Sequence, residues 1–110
     1  MKRVVVAPEA DESLREIFRY TFDRWGEEQA RKYLEQLRDA CNGLSENPSL
    51  GRLLRCMRDM ELRQIQVGRH IVIYALRPAD ILVLAVLHDA MNLAARRKSL
   101  VRRLRTKGIL

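Results

Sequence analysis

His88 closes an apolar run, Ile81 to Leu87, and is one of two histidines in a chain of 110 residues. An imidazole titrates near neutral pH, so a histidine at a strand end can act as a general acid or base. Between residues 52 and 80, six arginines (Arg52, Arg55, Arg58, Arg63, Arg69 and Arg77) stand against three acids, Asp59, Glu61 and Asp80. A basic sheet edge of that kind binds phosphate or an acidic protein. Both features also have a plainer reading. A strand-end histidine is more often a hydrogen-bonded structural residue, and scattered exposed arginines are ordinary surface. Stronger chemistry is missing: there is no Gly-rich phosphate loop, nucleophile elbow or zinc-protease helix motif. Ser13, Ser45, Ser49 and Ser99 have no histidine near them in sequence. Two cysteines and two histidines, widely spaced, lack the ligand spacing of a zinc site, so no metal or cofactor is expected. Cys41 falls on an apolar helical stripe and reads as a buried thiol; a Cys41–Cys56 disulfide stays open, without a disulfide framework.

The second chemical feature is the stretch AARRKSLVRRLRTKG, residues 94 to 108. It holds seven of the 21 basic residues and none of the 14 acidic ones, so the rest of the chain is balanced and the +7 charge sits here. On a helical wheel Leu93, Ala94, Leu100, Val101 and Leu104 fill an apolar arc, and Arg97 alone among the cations intrudes on it. The stretch is therefore expected to form an amphipathic helix. Its apolar face must dock on the protein's own sheet, a second copy or a partner. The favoured reading has the helix presenting Arg96, Arg97 and Arg103 to an acidic partner, with Leu100 and Leu104 in the docked face; DNA contact is the alternative.

The elements that must position these residues follow from periodicity. Val4-Val5-Val6 reads as a strand. Pro8, Glu9, Asp11 and Glu12 suit a helix start, and Leu14, Ile17, Phe18, Thr21 and Trp25 repeat at helical spacing. Gly26 breaks the pattern, and Ala30, Leu34, Leu37, Cys41 and Leu44 resume it, which predicts an antiparallel helical hairpin. Residues 48–59 read as a connection. LRQIQV, HIVIYAL and ILVLAVLH (62–67, 70–76 and 81–88) read as three strands, the first two joined by a tight Gly68-Arg69 turn and the third central and covered on both faces. The predicted fold is α+β: an N-terminal strand and a helical hairpin packed on a small, mostly antiparallel sheet (β-α-α-β-β-β), followed by the basic helix. Residues 1–92 form the main domain, with 93–110 part of it or an appendage. The hairpin is net acidic, with nine acids against six bases from Asp11 to Glu46, whereas the sheet half is basic. The short apolar starts and runs fit neither a signal peptide nor a membrane span, so the chain reads as cytoplasmic, with no membrane partner.

The pieces APEADESLREIFRYTFDRWGEEQARKYLEQL, LSENPSLG, LRQIQVGRHIVIYAL and VLAVLHDAMNLAAR resemble the ParE toxins of the ParE/RelE superfamily of bacterial toxin–antitoxin modules. The RWGEEQA turn between two helices, Pro48 and Gly51 after the second helix, and Arg63 followed by Tyr74 and LHDAM carry the resemblance, over roughly residues 3 to 97. It implies a cytoplasmic toxin neutralised by a cognate antitoxin, in an assembly with two copies of each. ParE-like members are associated with inhibition of DNA gyrase, and RelE-like members with messenger RNA cleavage on the ribosome. Cleavage by 2′-hydroxyl attack needs a base, cations for the phosphate and an acid. Arg63, Arg77 and His88 would be a partial set. The sheet has no lysine and no aromatic residue follows Tyr74, so gyrase inhibition without catalysis is favoured, with ribosome-dependent messenger cleavage or a non-toxic binding module as the alternatives. Arg63, Arg77, His88 and Met91 then join Arg96, Arg97, Leu100, Arg103 and Leu104 as the expected partner-binding residues. The tail runs past the family pattern, and its role is not carried over.

Overall fold

Local chemistry sets the helix boundaries in the computed structural model, which describes residues 2–89 and 93–108. After strand β1 (Arg3–Val6), Pro8 opens α1 (Pro8–Trp25), where its missing N–H costs nothing and Glu9 and Asp11 meet the positive end of the helix dipole. Gly26 ends α1 at φ 90, a conformation that strains residues with a Cβ, and its N–H bonds Phe22 O. The Gly26 carbonyl then accepts the first bond of α2 (Glu27–Gly43), from the Ala30 N–H, so one residue reverses the chain into the predicted hairpin.

Four further strands follow: β2 (Arg52–Met57), β3 (Met60–Val67), β4 (His70–Leu76) and β5 (Asp80–His88). They form one sheet with β1 in the order β1-β5-β4-β3-β2, and only the β1–β5 pair is parallel. The α+β class and the mostly antiparallel sheet are as expected, with two corrections. Residues 52–57 form an edge strand, although they read as a connection; RLLRCM has no period-2 alternation, and pairing with β3 makes the strand. The middle strand is β4. β5 lies beside it and is, as expected, buried on both faces. Gly68 takes φ 57 in the two-residue β3–β4 turn, and a Cβ there would also meet the Tyr33 ring at 2.9 Å.

The sheet is covered on both sides. On one face Ala10, Leu14, Leu37, Cys41 and Leu44 of the hairpin pack on Val72, Tyr74, Ile81 and Val83. Trp25, the last member of the α1 repeat, lies outside this core and is 70% exposed. On the other face α3 (Leu93–Thr106) lays Leu100 and Leu104 over Leu62, Ile71, Ile73, Leu82 and Leu84. The apolar arc thus docks on the protein's own sheet. Leu100 and Leu104 are 2% and 5% exposed, and burying each stabilises the docked helix by about 1.5–3 kcal/mol. They hold the helix and offer nothing to a partner in this arrangement. Cys41 is a buried free thiol, its pKa pushed up to about 11 by burial, and Cys56 is exposed and also free, so the open disulfide does not form. Among the described residues, no helix is long and apolar enough to cross a membrane.

Candidate functional site

The structure separates the three residues of the partial nuclease set. Arg63 lies on β3 opposite Tyr74, and both fasten the PSLG segment. The Arg63 guanidinium donates to Glu61 Oε1 at 2.9 Å, to the Gly51 carbonyl at 2.7 Å and to the Ser49 carbonyl at 3.2 Å. The Tyr74 hydroxyl donates to Pro48 O at 2.7 Å and accepts the Gly51 N–H at 2.9 Å. A Cβ on Gly51 would sit 2.6 Å from that hydroxyl, so glycine is required for the close approach. Tyr74 is fully buried, which pushes its phenol pKa up and keeps it a neutral donor. Arg77 forms a bidentate pair with Asp80, at 2.6 and 2.7 Å, across the β4–β5 turn. The Arg77 hydrogen bond holds the Asp80 carboxyl below its ordinary pKa. His88 is at the opposite end of β5, seven residues beyond Ile81, or roughly 23 Å at ~3.3 Å per residue. Arg63 and Arg77 are therefore occupied in holding loops, and neither stands beside His88.

What does stand beside His88 is the other histidine. His70 opens β4 and is the register partner of His88, and their rings meet edge-to-face with centroids 5.2 Å apart. The widely spaced histidines of the sequence are neighbours in the fold. Tyr33, from α2, shares a hydrogen bond between its hydroxyl and His70 Nδ1, and accepts the Arg69 N–H at 3.2 Å. Burial lowers the His70 pKa, and the neighbouring His88 lowers it further, so His70 is neutral at neutral pH. Asp89 Oδ1 approaches His88 Nδ1 at 3.4 Å, and the Asp89 N–H bonds the Arg69 carbonyl. No group of three or more candidate metal ligands occurs among the described residues.

Tyr33, Arg69, His70 and His88 line a groove of about 1090 Å³ between the helical hairpin and this end of the sheet. Tyr20 and Trp25 from α1 form its outer wall, Tyr33, His70 and His88 its base, and Arg96 from α3 its far rim. Tyr20 is 59% exposed, with Arg24 stacked over its ring at 5.2 Å. The groove can clasp an apolar or aromatic protein segment, with polar groups at its base to fix orientation. Of the residues singled out from sequence for chemistry, Arg69, His88 and Arg96 meet here. Met91 lies outside the described residues. Arg97 lies over the opposite sheet face and donates to Gln64 Oε1 at 2.9 Å, which explains its intrusion on the apolar arc. Arg103 and Lys107 both pair with Glu9, at 2.9 and 2.7 Å. Sequence reading missed Tyr20, Trp25, Tyr33 and His70, whose common position depends on the hairpin and the strand register.

The sequence model of the family described as "ParE toxin of type II toxin-antitoxin system, parDE" matches residues 4–93. Toxin ParE1 of Mycobacterium tuberculosis is 35% identical over 91 residues, covering 82% of this chain and 92% of that protein. Toxin ParE1 of Caulobacter vibrioides is 30% identical over 95 residues, covering 86% and 97%. Among solved structures, the chain superposes on one from the chromosomal ParDE system of P. aeruginosa with TM-score 0.67 and 14% identity, covering 80% and 96% of the two chains. It superposes on one from the archaeal RelE–RelB complex of Pyrococcus horikoshii with TM-score 0.64 and 14% identity, covering 81% and 96%. At that identity the two structures establish a shared fold.

Proposed function

This chain belongs to the ParE toxin family of type II toxin–antitoxin systems, and from that premise we propose that it inhibits DNA gyrase as a protein ligand and is neutralised by a cognate antitoxin. The observation that carries the reading is the groove beside His88, walled by Tyr20 and Trp25. Exposed tryptophan and tyrosine at the rim of a cleft are the residue types that dominate protein–protein binding energy. His88 and Arg96 supply polar contacts at its base and rim. The separation of Arg63, Arg77 and His88 supports a non-catalytic mode, because both cations of that set are held in loop contacts away from the histidine. The proposed antitoxin covers the same groove, which makes neutralisation a competition, in a cytoplasmic assembly with two copies of each chain.

Supercoiling by purified gyrase tests this. The protein should block supercoiling, added antitoxin should restore it, and Trp25→Ala should weaken inhibition by about 30-fold, the loss typical of a binding hot spot. Unimpaired supercoiling with no trapped cleavage complex defeats the reading. A second reading has one observation in its favour: His70 and His88 meet in one groove with Arg69 and Arg96, a pair of acid–base groups with cations nearby. It calls for messenger cleavage in a translating extract, lost in His70→Ala or His88→Ala. Intact transcripts with arrested growth would exclude it.

A further inference from the structure

A concentration of cations without an acidic side chain among them lies apart from the histidine groove. A second groove, of about 670 Å³, runs between the edge strand β2 and α3. Arg52 and Arg55 form one bank, and Arg97, Lys98, Arg102 and Arg105 the other. No acid lines it. Among the described residues, only Arg97 of these six has a side-chain partner, the neutral amide of Gln64.

The β2 bank results from a backbone irregularity. Residues three apart on a regular strand point to opposite faces. Here the register shifts between Leu53 and Arg55, so that Arg52 pairs with Gln64 and Arg55 with Leu62. Both partners face α3: Leu62 belongs to the core beneath that helix, and Gln64 holds Arg97. The bulge therefore turns both arginines onto one face, the kind of re-aiming for which bulges are used.

We propose that this groove binds the sugar-phosphate backbone of duplex DNA without reading its sequence. The dimensions fit a linear polyanion. Lys98, Arg102 and Arg105 span about 10 Å at ~1.5 Å per residue, and Arg52 to Arg55 spans about 10 Å at ~3.3 Å per residue. One strand of a duplex presents a phosphate every ~3.4 Å along the axis, so three phosphates occupy that length. Five of the six cations are arginines, whose planar fork matches phosphate oxygens. The remaining lining is apolar: Leu53, Leu54, Leu62, Ala94 and Val101. It contains no aromatic ring to stack an unpaired base and, apart from the cations themselves, no side chain that could hydrogen-bond a base edge or a 2′-hydroxyl. That chemistry favours a duplex over a single strand, DNA over RNA, and uniform affinity across sequences.

The experiment needs only the purified chain and oligonucleotides, so it stands or falls separately from the gyrase reading. Binding of a labelled short duplex is followed by fluorescence anisotropy across a salt series. Three phosphate contacts give a slope of log K against log salt of about −3, and each lost contact removes ~0.9 from it. Arg102→Gln with Arg105→Gln, and separately Arg52→Gln with Arg55→Gln, should each flatten the slope by about 1 to 2. Circular dichroism confirms that each variant remains folded. Several results would overturn the proposal: no binding at low salt, unchanged slopes in the folded variants, or tighter binding of single strands or duplex RNA. So would displacement of the duplex by a polyglutamate peptide at equal charge concentration, which would reassign the groove to an acidic protein.

Discussion

The two faces of the sheet are built by different means. The hairpin face is covered by two helices of 18 and 17 residues, which bring Ala10, Leu14, Leu37, Cys41 and Leu44 into one core with Tyr74 and the inner strands. The other face is covered by one helix of 14 residues, held by Leu100 and Leu104 with Val101 beside them. The family match ends at residue 93, where that helix begins. The hairpin face is thus the part shared with the relatives, and α3 caps a sheet face that would otherwise leave Ile71, Ile73, Leu82 and Leu84 open to water. A cap of this kind is structurally necessary, yet it leaves the outer face of the helix free to carry charge. That freedom accounts for the location of the whole +7.

The comparison breaks first at Leu37, which is fully buried under the hairpin. Leu37→Ala should cost about 3 kcal/mol, within the usual range for a core leucine, and lower Tm by more than ~10 °C in a thermal melt. Tyr74→Phe comes next. It leaves the Gly51 N–H and the Pro48 carbonyl without the hydroxyl, an expected loss of about 2 kcal/mol by denaturant unfolding. If Tyr74→Phe is neutral, the 48–51 segment is held by Arg63 alone. Leu100→Ala removes as much side chain as Leu37→Ala but should cost only about half as much, because α3 can undock as a unit before the rest unfolds. Equal costs for Leu37→Ala and Leu100→Ala would show that both faces unfold together and would remove the distinction. Amide exchange gives an independent check, with α3 exchanging ahead of β4 and β5.

Most of this architecture was legible from periodicity, because each helix buries one stripe and β4 and β5 are continuous apolar runs. Strand β2 was not, since it is an edge strand whose pattern a bulge disrupts. The histidine groove was hidden for a related reason. Carrying the β4–β5 register straight from Leu76–Ile81 would set His70 opposite Leu87. The shift after Tyr74 passes over Leu84 and brings His88 opposite His70 instead. A single unpaired residue decides which side chains meet, and nothing in the composition of ILVLAVLH marks where it falls. Arg63 and Arg77 were visible as cations, but their carbonyl and carboxylate partners are set by loop geometry. The charge of the tail was plain from the outset, and its docking surface emerged only once the sheet had a second face.

The smallest expected effect concerns the ionic tie between the faces. Glu9, in the first turn of α1, receives Arg103 from the last turn of α3 and Lys107 from the turn just beyond it. The Lys107 hydrogen bond, with both cations adding to it, holds the Glu9 carboxyl below its ordinary pKa. A carboxyl with a lowered folded pKa contributes stability that is present above its unfolded value and lost as pH falls through the folded one. Exposed ion pairs of this kind contribute under about 1 kcal/mol each, so Glu9→Gln should lower Tm by only a few degrees at neutral pH. Wild type alone cannot isolate the effect, because His70, whose folded pKa is also lowered, withholds a proton that the unfolded chain takes up as pH falls below about 6.5. Asp80 titrates in the same acidic range as Glu9. The informative quantity is the difference in Tm between wild type and Glu9→Gln. It should be steady from neutral pH down to the ordinary carboxylate range and shrink as pH falls further and Glu9 takes up its proton. It should also shrink with added salt. A difference that persists in acid would mean that residue 9 acts through the helix start of α1, leaving the apolar contacts of Leu100, Val101 and Leu104 and the Arg97–Gln64 bond to hold α3 on its face.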